Sequence, residues 1–268
     1  MEYYIFLIGL VVGSFINVVV YRLPKGRTFI SGRSSCTNCL KQIEWYDLIP
    51  VVSFFALKAR CRNCKTAISW QYPLAELYSG AMFLFSFQIF SENLVYWLFS
   101  LFLIEIFLIL ALIDWQNLIL PDSVILAAIA VTLIFGVYQR FWDNAPSGGV
   151  IGNILSRGNV SAALLFFAVI FLIWFLSKGE WIGLGDAKLV GVIGLAFGML
   201  GATFIIYGAV FLGMIAGLII LMAKKGDMKT KLPFGTFLSV SATIYIFFGH
   251  EIISWSENVL LLIKNIPI

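Results

Sequence analysis

From Leu94 to Ile113 the chain reads "LVYWLFSLFLIEIFLILALI", twenty residues with one charged side chain, Glu105. A run of that length and character is enough to cross about 30 Å of hydrocarbon. Similar runs recur along the chain. Of its 268 residues, 61% are hydrophobic and only 12% charged, and the mean hydropathy is +0.97. A soluble domain could not hide so much apolar surface, whereas a bilayer solvates it. These features predict an all-α polytopic membrane protein of about eight transmembrane helices, near 4–21, 74–90, 94–113, 122–139, 160–176, 187–201, 203–222 and 234–249. The first run, Ile5 to Tyr21, lacks a basic leader and a small-residue cleavage site, so it is expected to be a retained span. Residues 251–268 are expected to form a short interfacial segment.

Basic residues set the expected orientation. With eight alternating spans, fifteen of the eighteen Lys and Arg fall on one face, nine of them in the loop 22–73. Only Arg140, Arg157 and Lys264 fall on the other. The positive-inside rule makes the crowded face cytoplasmic and puts both termini outside. The expected division is a first helix (1–21), a cytoplasmic loop domain (22–73), a seven-helix membrane domain (74–250) and the C-terminal segment (251–268).

The loop 22–73 carries Cys36-Thr37-Asn38-Cys39 and Cys61-Arg62-Asn63-Cys64. Two CxxC knuckles suit four-thiolate zinc in a reducing cytosol. Arg33, Arg60, Arg62 and Lys65 stand beside the ligands, where they offset the negative charge of such a centre. All four ligand positions would be filled by protein, so the site reads as structural. A membrane thiol oxidoreductase would use the same cysteines on the oxidising side, which the charge distribution opposes.

Two carboxylates stand at the edges of apolar runs. Asp114 ends "LFSLFLIEIFLILALID" and Asp186 opens "DAKLVGVIGLAFG". Carboxylates from separate helices can share one proton, leaving an acid and a base at neutral pH. Such a pair can activate water and protonate a leaving amine. Gly183 and Gly185 would give close backbone access to a substrate strand or a neighbouring helix. The competing readings are structural. Asp186 can cap its helix, and Asp122 in "LPDS" has the context of a cap after Pro121. Lys188 suits an interfacial anchor. Glu76 and Glu105 lie inside expected spans, where an ionisable side chain faces the bundle interior or a wet cavity, and either is a candidate to tune the site or to bond another helix. His250 is expected to be structural. Gly194/Gly198 and Gly213/Gly217 have the small-xxx-small spacing of close helix packing.

These segments together resemble the type IV prepilin peptidases, a family of GxGD membrane aspartyl proteases. The resemblance rests on "GSFINVVVYRLP" (Gly13–Pro24), the paired CxxC, "ISWQYPLAEL" (Ile68–Leu77), "ALIDWQNLILPD" (Ala111–Asp122), "GLGDAKL" (Gly183–Leu189) and "LPFGTFLS" (Leu232–Ser239). It implies Asp114 and Asp186 as the catalytic pair, with Asp122 in the motif but outside the chemistry. It implies prepilin and pseudopilin substrates cut after a glycine at the cytoplasmic face of a bacterial inner membrane, with lipid as the surrounding partner and no nucleic acid. It also implies N-methylation of the new terminus with S-adenosylmethionine. No dinucleotide-type glycine fingerprint marks a site for that cofactor. Before the second CxxC, "LKARC" carries Ala59 where the family's pattern has glycine. Glu44 and Asp47 are candidate contacts for a basic leader. The reading from a different class is a non-catalytic scaffold or ion transporter with a structural acidic pair. It would keep its role when either aspartate is made asparagine.

Overall fold

The computed structural model describes residues 1–142, 153–223 and 231–264, with side chains described as far as 255. Helices α1 (Glu2–Arg22), α2 (Val52–Ala56), α3 (Gln71–Phe90), α4 (Leu94–Asn117), α5 (Asp122–Trp142), α6 (Arg157–Leu176), α7 (Leu184–Met222) and α8 (Phe234–Lys264) make up the chain. No strand occurs among the described residues, only isolated bridges at Ser35–Gln42 and Arg60–Ala67. Much of the expected loop 223–233, with Lys224, Lys225 and Lys229, lies outside the described residues. The chain divides into two units, Met1–Ile109 and Leu110–Ile268.

In the first unit α1 and α3 pack along a stripe of minimal side chains. A Cβ added to Gly9 would fall 2.7 Å from the Gly80 Cα, and one added to Gly13 would fall 2.7 Å from the Glu76 Cα. One turn further, Asn17 Nδ2 donates to the Tyr72 carbonyl at 3.1 Å. The paired positions climb α1 as they descend α3, so the helices are antiparallel and held at backbone distance.

In the second unit α6, α7 and α8 pack together. Helix α6 starts at Ser156, whose hydroxyl accepts from the Asn159 N–H at 3.1 Å, a usual N-cap. Gly194 lies against the backbone of α6 at Ala163, so the small-residue spacing there does serve packing. The 39 residues of α7 would span roughly 58 Å if straight, about twice the hydrocarbon thickness. The helix breaks at Gly198, with φ 69° and ψ −168°, a conformation open to glycine alone. Asn159 braces the break by donating to the Leu195 carbonyl at 2.9 Å.

Six described helices are long and apolar enough to cross a membrane, against the expected eight. That count takes α7 as one, although the expected spans 187–201 and 203–222 correspond to the two helices that meet at its Gly198 break. Helix α3, the expected span 74–90, is absent from the six. Helix α8 runs on past His250, which is exposed within the helix, although the span was expected to end near 249.

Candidate active site and cysteine centre

Asp114 and Asp186 both belong to the second unit and are 5% and 9% exposed. They lie near enough for the charge of one to act on the other. Asp114 comes from the last turn of α4. Its Oδ2 accepts from the Thr236 N–H at 2.8 Å. The Thr236 hydroxyl stands 3.2 Å from the same oxygen and 3.0 Å from the Ala111 carbonyl, so its one proton is shared between them. These donors lie in the first turn of α8, whose free N–H groups favour an anion.

Asp186 is likewise seated at a helix N-terminus. Gly183 is the N-cap of α7, and its N–H donates to Asp186 Oδ2 at 3.1 Å. Asp186 is therefore the third residue of the helix and bonds back to the cap; it is not itself the N-cap that its context suggests. Asp122 is not a cap either. The Pro121 carbonyl takes the first bonds of α5, which leaves the Asp122 carboxylate to pair with Lys188 Nζ at 2.6 Å.

Leu120 fills the space around this pair. A Cβ on Gly185 would fall 2.8 Å from the Leu120 Cβ. One on Gly235 would fall 2.8 Å from a Leu120 methyl and 3.1 Å from Asp114 Oδ2. The space beside Gly185 is thus taken by a neighbouring segment, one of the two occupants its lack of a side chain allows. Gly183 has extended backbone, φ −78° and ψ 149°. Nothing local in the sequence marks Gly235, Thr236 or Leu120 as site residues. The signal available was that the family segments hold them, Leu120 in "ALIDWQNLILPD" and the other two in "LPFGTFLS".

The four cysteines lie in the first unit, their sulfurs all within 4.8 Å of one another. Cys36 Sγ to Cys64 Sγ is 3.7 Å, close to the edge of about 3.8 Å expected for a tetrahedron with metal–sulfur bonds of about 2.3 Å. It is far from the length of a disulfide. The two knuckles share one backbone path. In each the first cysteine's N–H bonds a carbonyl five residues on, Lys41 or Thr66. In each the residue after the second cysteine is left-handed, Leu40 at φ 58° and Lys65 at φ 59°. The Thr66 hydroxyl, followed by its backbone N–H and the Asn38 amide, lowers the Cys64 thiol to about 5. A thiolate there is ready for a metal. The residues present fit four-coordinate zinc. Arg62 is drawn off to a different partner, meeting Asp47 through two bonds of 2.7 and 2.8 Å. That contact also holds the Asp47 carboxyl below its usual range.

A cavity of about 1050 Å³ lies beside the knuckles, lined by Asn17, Glu44, Tyr46, Asp47, Tyr72 and Glu76 among others, all within the first unit. Arg22 shapes one edge by donating to the carbonyls of Thr28, Ser31, Gly32 and Arg33 at 2.9–3.3 Å. Of the two candidate leader contacts, Asp47 is engaged by Arg62 and Glu44 lines the cavity. Glu105 is buried, with one carboxyl oxygen accepting from Ser79 at 2.9 Å and the other without a partner among the described residues.

A membrane-spanning chain with two buried aspartates at helix N-termini has the parts of an intramembrane aspartyl hydrolase. Comparison with known proteins gives the class a family. The Bacterial Peptidase A24 N-terminal domain matches residues 7–90, and the Type IV leader peptidase family matches residues 101–222. A protein of Burkholderia pseudomallei named Prepilin leader peptidase/N-methyltransferase is 32% identical over 90% of this chain and 84% of its own length. Proteins of the same name from Dickeya chrysanthemi (32%, covering 89% of each chain) and Stutzerimonas stutzeri (29%, covering 91% and 90%) are similar throughout. The chain belongs to the type IV leader peptidase family. No solved structure matches it.

Proposed function

We propose that this chain is a membrane aspartyl endopeptidase that removes the short basic leader of type IV prepilins and type II secretion pseudopilins. Cleavage follows a glycine at the cytoplasmic face of the bacterial inner membrane. The observation that carries the reading is the meeting of Asp114 and Asp186 in a buried setting, each on its own helix. Asp114 is offered two donors, the Thr236 N–H and hydroxyl, and Asp186 one. That asymmetry suits Asp114 to act as the carboxylate that takes a proton from water, and Asp186 as the acid that protonates the leaving amine. The water oxygen bonds to the glycine carbonyl carbon, and the carbon–nitrogen bond then breaks. A substrate helix left in lipid, with its leader in the cytosol, would meet the pair at the membrane edge.

The relatives carry a second activity in their name. S-adenosylmethionine would supply a methyl group to the new terminal amine. The first-unit cavity is large enough for a cofactor of that size, with Tyr46 to hold its flat part and Glu44 its polar part. Cys36, Cys39, Cys61 and Cys64 would hold structural zinc and so fix the loop 22–73 around that cavity.

The test compares cleavage of a purified prepilin in lipid by wild type, Asp114→Asn and Asp186→Asn, with methylation of pre-cleaved pilin in parallel. Folded variants that methylate but no longer cut support the assignment. If both still cut, the acidic pair is structural and the assignment is wrong.

A further inference from the structure

Val51, a β-branched residue in the first unit, has φ 62° and ψ −51°. The Val52 N–H bonds back to the Pro50 carbonyl, so residues 50–52 form a γ-turn of the rare, strained kind. A β-branched residue suits positive φ poorly. Such a conformation persists only where its surroundings enforce it.

What enforces it here is Glu76. Its Oε2 accepts from the Val51 N–H at 2.7 Å. The Glu76 backbone is fixed by its neighbours, since its Cα sits against Gly13 in the close stripe between α1 and α3, and its side chain is buried. The turn divides a segment that walls the cavity on both sides: Tyr46, Asp47 and Leu48 precede it, and Ser53, Phe54 and Leu57 follow. The far part of that wall is tied to the second cysteine knuckle through Asp47 and Arg62. The near part leads into it after a Schellman motif, with the Ala59 and Lys58 N–H groups bonded to the Phe54 and Phe55 carbonyls.

We propose that Glu76 is a positioning residue for methyl transfer: its buried carboxyl holds the Val51 turn and thereby sets the cavity wall formed by residues 46–57. The proposal rests on the reading of this cavity as the methyl-transfer site. Glu76 acts through the wall and touches neither reacting group. It differs from the aspartates in affecting one activity and sparing the other.

Strain at Val51 supplies the test. Glycine adopts the same turn without a steric cost, so Val51→Gly removes the need for the clamp. Full-length variants in lipid would be compared for S-adenosylhomocysteine affinity, methylation of pre-cleaved pilin, prepilin cleavage, and hydrogen exchange of the peptide 45–57. Glu76→Ala should lose about tenfold or more in affinity and in methylation, exchange faster over 45–57, and cut normally. Glu76→Gln, which keeps an acceptor oxygen, should stay near wild type. Glu76→Ala combined with Val51→Gly should recover most of the binding and methylation, and this arm decides the matter if the single alanine variant folds poorly. Unchanged binding and methylation in Glu76→Ala would overturn the proposal, as would a double variant with no recovery. A wild-type protein that neither binds the nucleoside nor methylates overturns the underlying reading of the cavity instead.

Discussion

Gly235→Ala isolates the packing that holds Asp114. The new methyl carbon would lie 3.1 Å from Asp114 Oδ2 and 2.8 and 2.9 Å from the two Leu120 methyls, where ordinary contacts are several tenths of an ångström longer. Leu120 methyls can often rotate away, but this side chain also lies against Gly185, which leaves it little room. The carboxylate must then yield, stretching its bonds to the Thr236 N–H and hydroxyl. Overpacking costs about 1–3 kcal/mol, and a hydrogen bond to a charged group contributes about 1.5–3 kcal/mol. If about 1.4–2.7 kcal/mol of this appears in the transition state, kcat/KM falls roughly 10- to 100-fold. The assay is prepilin cleavage in lipid, with thermal unfolding measured on the same samples. Gly158→Ala is the control, because the added carbon would meet nothing nearer than the Ser156 hydroxyl at 3.8 Å. A Gly235→Ala enzyme with wild-type kcat/KM and stability would refute the reasoning.

Removing metal with a chelator should unfold the cysteine loop, since structural zinc contributes on the order of 10 kcal/mol to folding in small domains. Methylation should be lost while cleavage persists, and hydrogen exchange over 30–70 would locate the change. Ala59→Gly should stabilise the loop by about 0.5–1 kcal/mol, because Ala59 is held at φ 56° where a Cβ is unfavourable; a higher chelator concentration at the unfolding midpoint would register it. Lys188→Met should cost less than about 1 kcal/mol, since Asp122 and Lys188 are both solvent-accessible and such pairs contribute little. A thermal melt shifted by many degrees would show that the pair does more.

The sequence makes the chemistry-bearing residues visible and hides most of what positions them. Asp114 and Asp186 stand out because a carboxylate at the end of an apolar run needs a reason. The cysteines stand out because their spacing is that of a metal ligand set. Thr236 gives no such sign: it is a small polar residue 122 positions from Asp114 in the chain, and only the folded arrangement brings its N–H to the carboxylate. The Gly9, Gly13 and Gly80 stripe is hidden for a similar reason, being split between two helices. Glu76 is conspicuous as an ionisable residue inside an expected span, yet nothing local indicates that it holds Val51. The division of 187–222 into two helices is legible, but its position is not: hydropathy runs unbroken through Gly198, and only the backbone there marks the break.

Leu120 has a consequence for how substitutions combine. Gly185 on α7 and Gly235 on α8 both abut this one side chain, so the segments bearing the two carboxylates share a single spacer. An added methyl at either glycine calls for the same displacement. Once the first has forced it, the second meets a leucine already moved, and the double variant should lose less than the two singles combined. The acidic pair would then behave as one mechanically linked unit, although its halves lie 72 residues apart in the chain.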